Sequence, residues 1–349
     1  ASHARSEAGR EYRPSPLTRD WPLCKATDLG LVASDSLRQA CSDRGEMQPL
    51  PAPQAGAAAA TQAGGAALIG AQANCPFAAV ARFRMGARPL EEPSYSVDGA
   101  LGGTLVHELL QRVWQALGDS DALARHDEAA LQSLLAPLAS ATLDDLGRRR
   151  PDIFTTRFKQ IEALRLTRLC LDWLNLERER SQGFRVEALE LAQTVELGGL
   201  QLRTRIDRID RLQDGSLALI DYKTGRRVTN DGWFDERLTE PQLPLYCLQD
   251  PKNTAAALLA RVRRDGPGCV FVGLSRTTDF APGVETPQTQ NGGNGWPGLL
   301  AQWQQGLEDL AGEILRGRAD ATPSPQACRH CAFGPLCRLQ ELTAEERDD

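Results

Sequence analysis

The chain has 349 residues, of which 41% are hydrophobic and 25% are charged. This composition is that of a globular protein and excludes collagen-like structure and disorder of the whole chain. No apolar run is long enough to span a bilayer and the N-terminus lacks a secretory signal, so we expect a soluble, cytoplasmic protein. The net charge of -6 argues against binding of nucleic acid over the whole surface. Any such contact is expected in a local groove.

The composition changes along the chain. The segment from Pro51 to Ala67 consists mostly of Pro, Ala, Gly and Gln, which have little side-chain surface to bury. We interpret residues 1–67 as an N-terminal arm and linker, or as the remnant of a preceding domain. A single folded domain is predicted over residues 68–342, followed by a polar tail over residues 343–349.

Apolar residues at helical spacing dominate the first half of this domain. The widest apolar stripe follows Gly102 and Gly103 and ends at Gly118, a residue type that commonly terminates helices. A later helix carries Ile161 and Leu164 at helical spacing. The predicted helices span residues 77–83, 103–117, 121–147 and 154–182.

Alternating apolar residues replace this pattern after Gly183. Gly198-Gly199 and Asp214-Gly215 are good hairpin turns, so three consecutive antiparallel strands are predicted. The sequence predicts an α+β fold, with a mixed central sheet flanked by helices. The remaining predicted elements are strands at 184–197, 200–212 and 216–222, a helix at 242–248, a strand at 269–274, a loop at 276–297 and a helix at 299–315.

Two neighbouring strands of this hairpin carry acidic residues. Asp221 and Lys223 share one face of their strand, and the turn at Asp214-Gly215 lets Asp207 lie beside Asp221. Two carboxylates with a nearby ammonium form a site for a hard divalent cation and the water that it activates. The alternative is a solvated strand end with a surface salt bridge, because strand ends are often charged.

Four separated motifs resemble the nuclease domain of the PD-(D/E)XK superfamily in its RecB- and AddB-like form. They are GTLVHELL around His107, RIDRID at 205–210, IDYKTG at 220–225 and QLPLY at 242–246. Each motif is weak alone, but their order and spacing match the family over about residues 68–340. The resemblance implies a restriction-endonuclease-like core with a helical insertion.

The resemblance also implies roles for individual residues. Lys223 would position or activate the attacking water and stabilise charge on the phosphate. Glu187 and Glu190 are the two candidates for an extra glutamate found in some relatives. The implied ligands of Mg²⁺ or Mn²⁺ are His107, Asp207, Asp221 and the carbonyl of Tyr222, and the implied catalytic set is Asp207, Asp221, Lys223, Gln242 and Tyr246.

Several of these residues have a structural alternative. His107 lies in an apolar helix and could be a hydrogen-bonded core histidine. Gln242 and Tyr246 are four residues apart and could simply cap and pack their helix. Asp210 competes with Asp207 for the metal, and the motif match favours Asp207. Relatives often have glycine where this chain has Thr204-Arg205.

A second set of metal ligands is indicated near the C-terminus, where Cys328, Cys331 and Cys337 have C-x2-C-x5-C spacing. Cys75 would be the fourth ligand. AddB-like nucleases have the same layout and hold a [4Fe-4S] cluster, so the resemblance implies a cluster that joins the two ends of the domain. Zinc bound by four thiolates, or by three with His330, is the alternative. The other cysteines are interpreted as ordinary small residues.

The sequence thus predicts a metal-dependent DNA nuclease of repair or recombination that acts on single strands or DNA ends. No phosphate-binding loop of the form GxxxxGK[ST] occurs, so a helicase partner would act in trans or on a missing N-terminal region. The alternatives are a non-catalytic module that binds DNA ends or acts as a scaffold, and a zinc-bound interaction domain. Residues suggested for DNA contact are the basic side chains in 148–168 and 203–211, and the aromatic rings of Trp233, Phe234 and Tyr246.

Overall fold

A computed structural model of the chain describes residues 6–7, 10–11, 55–89, 96–287, 295–324 and 327–339. The chain divides into two units, Ala1–Pro49 and Leu50–Asp349. In the first, β1 (Ser6–Glu7) pairs with β2 (Arg10–Glu11) in antiparallel fashion. All other elements named below belong to the second unit. Among the described residues, no helix combines the length and the apolar character needed to cross a bilayer.

The helices begin at the polar residues expected of helix N-termini. The side chains of Asp98, Asp119 and Asp127 each accept a hydrogen bond from the backbone N–H three residues later. Gly118, with φ 77°, ends the third helix as predicted. The described helices are α1 (Gly65–Asn74), α2 (Pro76–Ala79), α3 (Gly99–Leu117), α4 (Ser120–Arg125), α5 (Glu128–Arg149), α6 (Thr156–Glu177), α7 (Gln242–Cys247), α8 (Gly295–Leu315) and α9 (Gly334–Cys337).

Seven described strands form one mixed sheet in the order β3-β5-β6-β7-β8-β9, with β4 on the other edge of β5. The β6–β7 pair is parallel, whereas β4–β5, β5–β6 and β7–β8 are antiparallel. The strands are β3 (Thr61–Gln62), β4 (Phe184–Leu197), β5 (Leu200–Leu212), β6 (Leu217–Lys223), β7 (Thr254–Arg261), β8 (Val270–Ser275) and β9 (Val284–Glu285).

Helices cover both faces of this sheet. Helices α3, α5 and α6 share one hydrophobic core with Ile220 and Tyr222, and α1, α7 and α8 share another with Leu219. Because side chains alternate along β6, Tyr222 faces α3, whereas Asp221 and Lys223 face the α7 side. The predicted mixed sheet flanked by helices is therefore confirmed.

The strand β7 was not predicted, although it lies at the centre of the sheet. All eight of its residues are buried, and its Ala- and Leu-rich sequence shows no alternation. Covered on both faces and paired in parallel with β6, it has no solvent side on which polar residues would alternate with apolar ones.

Helix boundaries differ from the prediction in the first half. Gly102 and Gly103 lie inside α3, not before it, and a Cβ at Gly103 would come within 3.2 Å of Thr224 Oγ1. This glycine therefore lets α3 approach the segment after β6. The predicted 121–147 helix is divided into α4 and α5, with Asp127 capping the second. Ile161 and Leu164 on α6 are 60% and 62% exposed, although they occur at helical spacing.

The predicted 1–67 arm and linker stays a prediction. Its described part from Ala55 onward includes β3, which pairs with the start of β5, and the first turn of α1.

The predicted 276–297 loop contains β9, and α8 begins at Gly295, four residues earlier than the expected Leu299.

Candidate metal site and its surroundings

Three carboxylates lie in a row across β4, β5 and β6. The ladder that pairs Arg208 with Ile220 places Asp207 opposite Asp221, as the sequence predicted. On the other side of β5, pairing of Leu189 with Arg208 and of Leu191 with Ile206 places Glu190 opposite Asp207. Adjacent strands lie about 4.8 Å apart, so Glu190, Asp207 and Asp221 form a short acidic row.

Two irregularities in β4 lie at or near Glu190. The β4–β5 register shifts by one residue between Val186 and Ala188, so Glu187 is an extra residue on β4. Glu190 itself has φ 48°, a conformation uncommon outside glycine, which redirects its side chain. Of the two candidates for the extra glutamate, Glu190 reaches the site, whereas Glu187 pairs with Arg211 at 2.8 Å.

His107 on α3 closes the row from one side of the sheet. Its Nδ1 lies 3.4 Å from Asp207 Oδ2 and its Nε2 lies 3.0 Å from the carbonyl oxygen of Tyr222. Burial works against the imidazolium, but the hydrogen bond and the charge of Asp207 outweigh it and raise the pKa of His107. Asp207 Oδ2 also accepts a hydrogen bond of 2.8 Å from the backbone N–H of Tyr222. The structure thus brings His107, Asp207 and the Tyr222 carbonyl together.

Asp221 is 2% exposed and lies beside Lys223. Lys223 Nζ forms an ion pair with Asp221 Oδ2, at 2.6 Å. Burial raises the pKa of Asp221 to about 6, although Lys223 opposes the rise. The pKa of Lys223 is itself raised, because the carboxylates of Asp221 and Asp207 outweigh its burial. A buried carboxylate beside two further carboxylates is suited to a cation.

Gln242 and Tyr246 support Lys223 from α7. The Lys223 ammonium donates a hydrogen bond of 3.3 Å to Gln242 Oε1. Tyr246 donates through its hydroxyl to the carbonyl oxygen of Arg205, at 2.7 Å, and burial raises its pKa to about 12. Tyr246 therefore ties α7 to β5 next to Asp207, and Gln242 orients the lysine.

Asp210 has a different environment from Asp207. It is fully buried and accepts hydrogen bonds from Arg208 Nε and Arg180 Nη1, both at 2.6 Å. Arg208 also donates to Glu177 on α6, at 2.6 Å, and to the hydroxyl of Tyr222, at 3.2 Å. Glu177, Arg180, Arg208 and Asp210 form a buried ionic cluster behind the site. Within the described residues, the aspartate beside His107 is Asp207.

The donor set fits a hard divalent cation. One nitrogen or oxygen atom from each of His107, Glu190 and Asp207 lies within 4.8 Å of the others. Carboxylate oxygens with a single imidazole suit Mg²⁺ or Mn²⁺, and the buried carboxylate of Asp221 lies on the neighbouring strand. A divalent ion would offset the repulsion among these closely spaced carboxylates.

The expected DNA-contacting residues are only partly exposed. Trp233 and Tyr246 are 1% and 4% exposed, so both belong to the core, and only Phe234 retains substantial exposure at 39%. Arg208 is fully buried in the ionic cluster, so its assignment to the basic surface was wrong. The basic side chains Arg148, Arg150, Lys159 and Arg165 pair with Asp145, Asp152, Asp144 and Glu162.

The mixed sheet, with a histidine and carboxylates that converge at one end of a hairpin, is an arrangement suited to holding a divalent cation. The profile of the PD-(D/E)XK nuclease superfamily matches residues 70–338, which is more than half of the chain, and the chain belongs to this superfamily. Its members are typically metal-dependent nucleases. No curated protein matches the chain at a significant level.

Proposed function

We propose that the chain is a divalent-metal-dependent DNA nuclease that hydrolyses phosphodiester bonds in single strands or at DNA ends. The observation that carries the proposal is the acidic row of Glu190, Asp207 and Asp221, with His107 beside Asp207 and Lys223 beside Asp221. A protein that only binds DNA gains nothing from holding like charges together at a buried position.

In this proposal His107, Asp207, Asp221 and the Tyr222 carbonyl hold the ion, and Glu190 joins them. Mg²⁺ or Mn²⁺, when bound, would act as a Lewis acid on the phosphate and lower the pKa of a bound water. Lys223, kept charged by Asp221 and oriented by Gln242, places its ammonium where negative charge builds on the phosphate. Asp207 also fixes the β5–β6 geometry through the Tyr222 N–H.

The decisive experiment incubates labelled single-stranded and blunt duplex DNA with the protein in Mg²⁺, in Mn²⁺ and in EDTA. We expect cleavage that requires the divalent ion and is lost in Asp221→Asn, while an exposed-residue control, Lys252→Ala, stays active. DNA binding without product under every metal condition would identify the non-catalytic end-binding module instead.

The substrate preference follows from the lack of a phosphate-binding loop in the sequence. Since such a chain does not unwind a duplex with ATP, we propose that unpaired DNA is cleaved faster and that ATP has no effect. A helicase partner would then supply the unpaired strand in repair or recombination. Equal cleavage of blunt duplex interiors would contradict this preference.

We also propose that Cys75, Cys328, Cys331 and Cys337 hold a [4Fe-4S] cluster. Burial raises the pKa of Cys75, and the charges of Cys337 and Cys331 add to the rise, since these sulfurs are close enough to interact. Zinc held by the four thiolates, or by three of them with His330, is the alternative occupant of this site.

A further inference from the structure

A cavity of about 500 Å³ opens at the end of the sheet that carries Lys223. Its lining includes Arg261 at the end of β7 and Val270 at the start of β8. The sheet register pairs Lys223 with Arg261, and Arg261 with Val270. Arg261 is thus one strand away from Lys223, and Val270 is two strands away. Because adjacent strands lie about 4.8 Å apart, both are within about 10 Å of Lys223 along the sheet. A substrate strand that passes Lys223 in this direction reaches the cavity.

Two arginines from the segment after β6 stand at this cavity. Arg226 and Arg227 line it, and their side chains are 86% and 83% exposed. Their carboxylate partners are distant, at 3.9 Å for Asp265 and 3.7 Å for Asp231, beyond hydrogen-bond length. Both guanidinium groups are thus available to an anionic ligand.

The backbone that carries these two arginines is held in place by buried or half-buried arginines. Arg261 donates to the carbonyl oxygens of Arg226, at 3.2 Å, and of Asp265, at 2.9 Å. Arg263 donates to the carbonyl oxygen of Thr224, at 3.0 Å. Arg261 and Arg263 therefore act as supports of the segment, and Arg226 and Arg227 project from a fixed backbone.

The rest of the lining is mainly apolar, with Pro267, Val270, Phe271 and Pro282 among its residues. A phosphate alone would not need an apolar wall, and an apolar ligand alone would not need two exposed arginines. A nucleotide carries both features, since its base has an apolar face and its phosphate is an anion. The volume lies within the usual range for small-ligand sites.

We propose that this cavity binds a nucleotide unit of the DNA strand, a few nucleotides from the bond at the metal site. The base lies against the wall of Pro267 and Val270, and the phosphates contact Arg226 and Arg227. This inference rests on the proposed nuclease function and adds a strand-binding subsite to it.

The first test measures binding of a fluorescent (dT)20 strand in EDTA, where cleavage is suppressed. For Arg226→Ala/Arg227→Ala we expect Kd to rise roughly tenfold, and the slope of log Kd against log salt to fall by about 1 to 2. Arg82→Ala/Arg84→Ala removes a similar pair of exposed arginines that do not line the cavity, and it should change Kd much less. Equal effects of the two double variants would overturn the subsite.

The second test addresses the apolar wall. Val270→Phe fills part of the cavity, and melting temperature checks that the variant folds. In the unchanged protein, replacing bases of the strand by abasic residues should weaken binding about tenfold, and this loss should shrink in Val270→Phe. An abasic penalty of the same size in both proteins would contradict base binding in the cavity. A protein that binds (dT)20 normally but cleaves nothing would instead contradict the nuclease function.

Discussion

At the scale of single residues, the site depends on which side chain of each strand reaches it. A one-residue change in strand register moves every side chain to the opposite face. The Gly198-Gly199 turn sets the register that places Glu190 opposite Asp207, and the extra residue Glu187 changes the register only for residues 184–186. Burial and the charge of Asp207 raise the pKa of Glu190, as expected where carboxylates crowd together without a cation.

The role of Glu190 is tested by Glu190→Gln, which keeps the size of the side chain and removes its charge. We expect the Mg²⁺ concentration for half-maximal cleavage to rise roughly tenfold, because the charge of the ligand set controls affinity for hard cations. The matched control is Glu187→Gln, since Glu187 pairs with Arg211 away from the row. Similar metal requirements in the two variants would exclude Glu190 as a ligand.

Lys223 is tested by Lys223→Ala with Lys252→Ala as the control. Loss of a cationic group at the reacting phosphate should lower kcat by about 10²-fold or more, with little effect on DNA binding in EDTA. Cleavage rates under saturating DNA measure this change. A variant that loses binding and keeps its rate at saturation would make Lys223 a binding residue only.

At the scale of elements, the ionic cluster of Glu177, Arg180, Arg208 and Asp210 joins α6 and its C-terminal extension to β5. The Arg208 guanidinium lies 3.8 Å from the ring centroid of Trp114 on α3 and donates to Tyr222 on β6. Two cations and two anions balance inside a core, which is tolerable only while every member is paired. The cluster therefore holds in one place the elements that carry His107, Asp207 and Asp221.

Asp210→Ala tests this structural role. Removal of one anion leaves Arg180 and Arg208 buried with a single carboxylate, so we expect a loss of about 3 to 5 kcal/mol in the free energy of unfolding. Denaturant titration measures the loss, and Asp309→Ala on the exposed face of α8 should change stability by less than about 0.5 kcal/mol. Unchanged stability of Asp210→Ala would show that the cluster is not required for folding.

At the scale of the whole unit, the two ends of residues 55–339 lie against each other. Phe77 N–H donates to the carbonyl oxygen of Asp320 at 3.2 Å, and Ser324 N–H donates to that of Asn74 at 2.7 Å. Arg237 joins Glu313 on α8 to the carbonyl oxygens of Gln72 and Ala73 on α1. These contacts bring Cys75 towards the C-terminal cysteines, and a cluster there would close a loop of most of the domain.

The cluster hypothesis is tested by Cys331→Ser. We expect the unchanged protein, purified without oxygen, to contain about four iron and four sulfide per chain. Cys331→Ser should lose both and melt at a lower temperature, because the unfolded chain then regains the loop entropy that the cluster removes. Cys269→Ser, at a half-buried cysteine outside the set, should retain iron. One zinc and no iron in the unchanged protein would establish the alternative.

The contact between the ends also predicts a pH dependence. Arg318 holds the pKa of Asp320 at about 2, below the ordinary value of 3.8. Because the folded-state pKa is depressed, Asp320 stabilises the fold above about pH 4, and this contribution is lost as the pH falls towards 2. Asp320→Asn should therefore destabilise the protein at pH 7 and make progressively less difference below pH 4. A destabilisation that stays constant from pH 7 to pH 2 would contradict an ionic origin.

Much of the fold and part of the site follow from the sequence alone because they depend on local rules. The hairpins of β4, β5 and β6 are encoded by alternation and by turn residues, and α3 by its apolar stripe and Gly118. The short β5–β6 turn fixes Asp207 opposite Asp221. Counting back from Gly198-Gly199 would also have selected Glu190 over Glu187, since a two-residue turn sets the register of the whole ladder.

The tertiary structure decided what depends on contacts between distant segments. β7 has no alternation because other elements cover both of its faces, and Arg208 and Trp233 are buried because their partners come from elsewhere in the chain. The opposite case is Ile161, an apolar residue at helical spacing that stays exposed because no described element packs over it. The type of a residue gives its preference for water or for the core. Whether the residue is buried depends on which elements pack against it. That packing depends on contacts between segments distant in the sequence, which no local pattern contains.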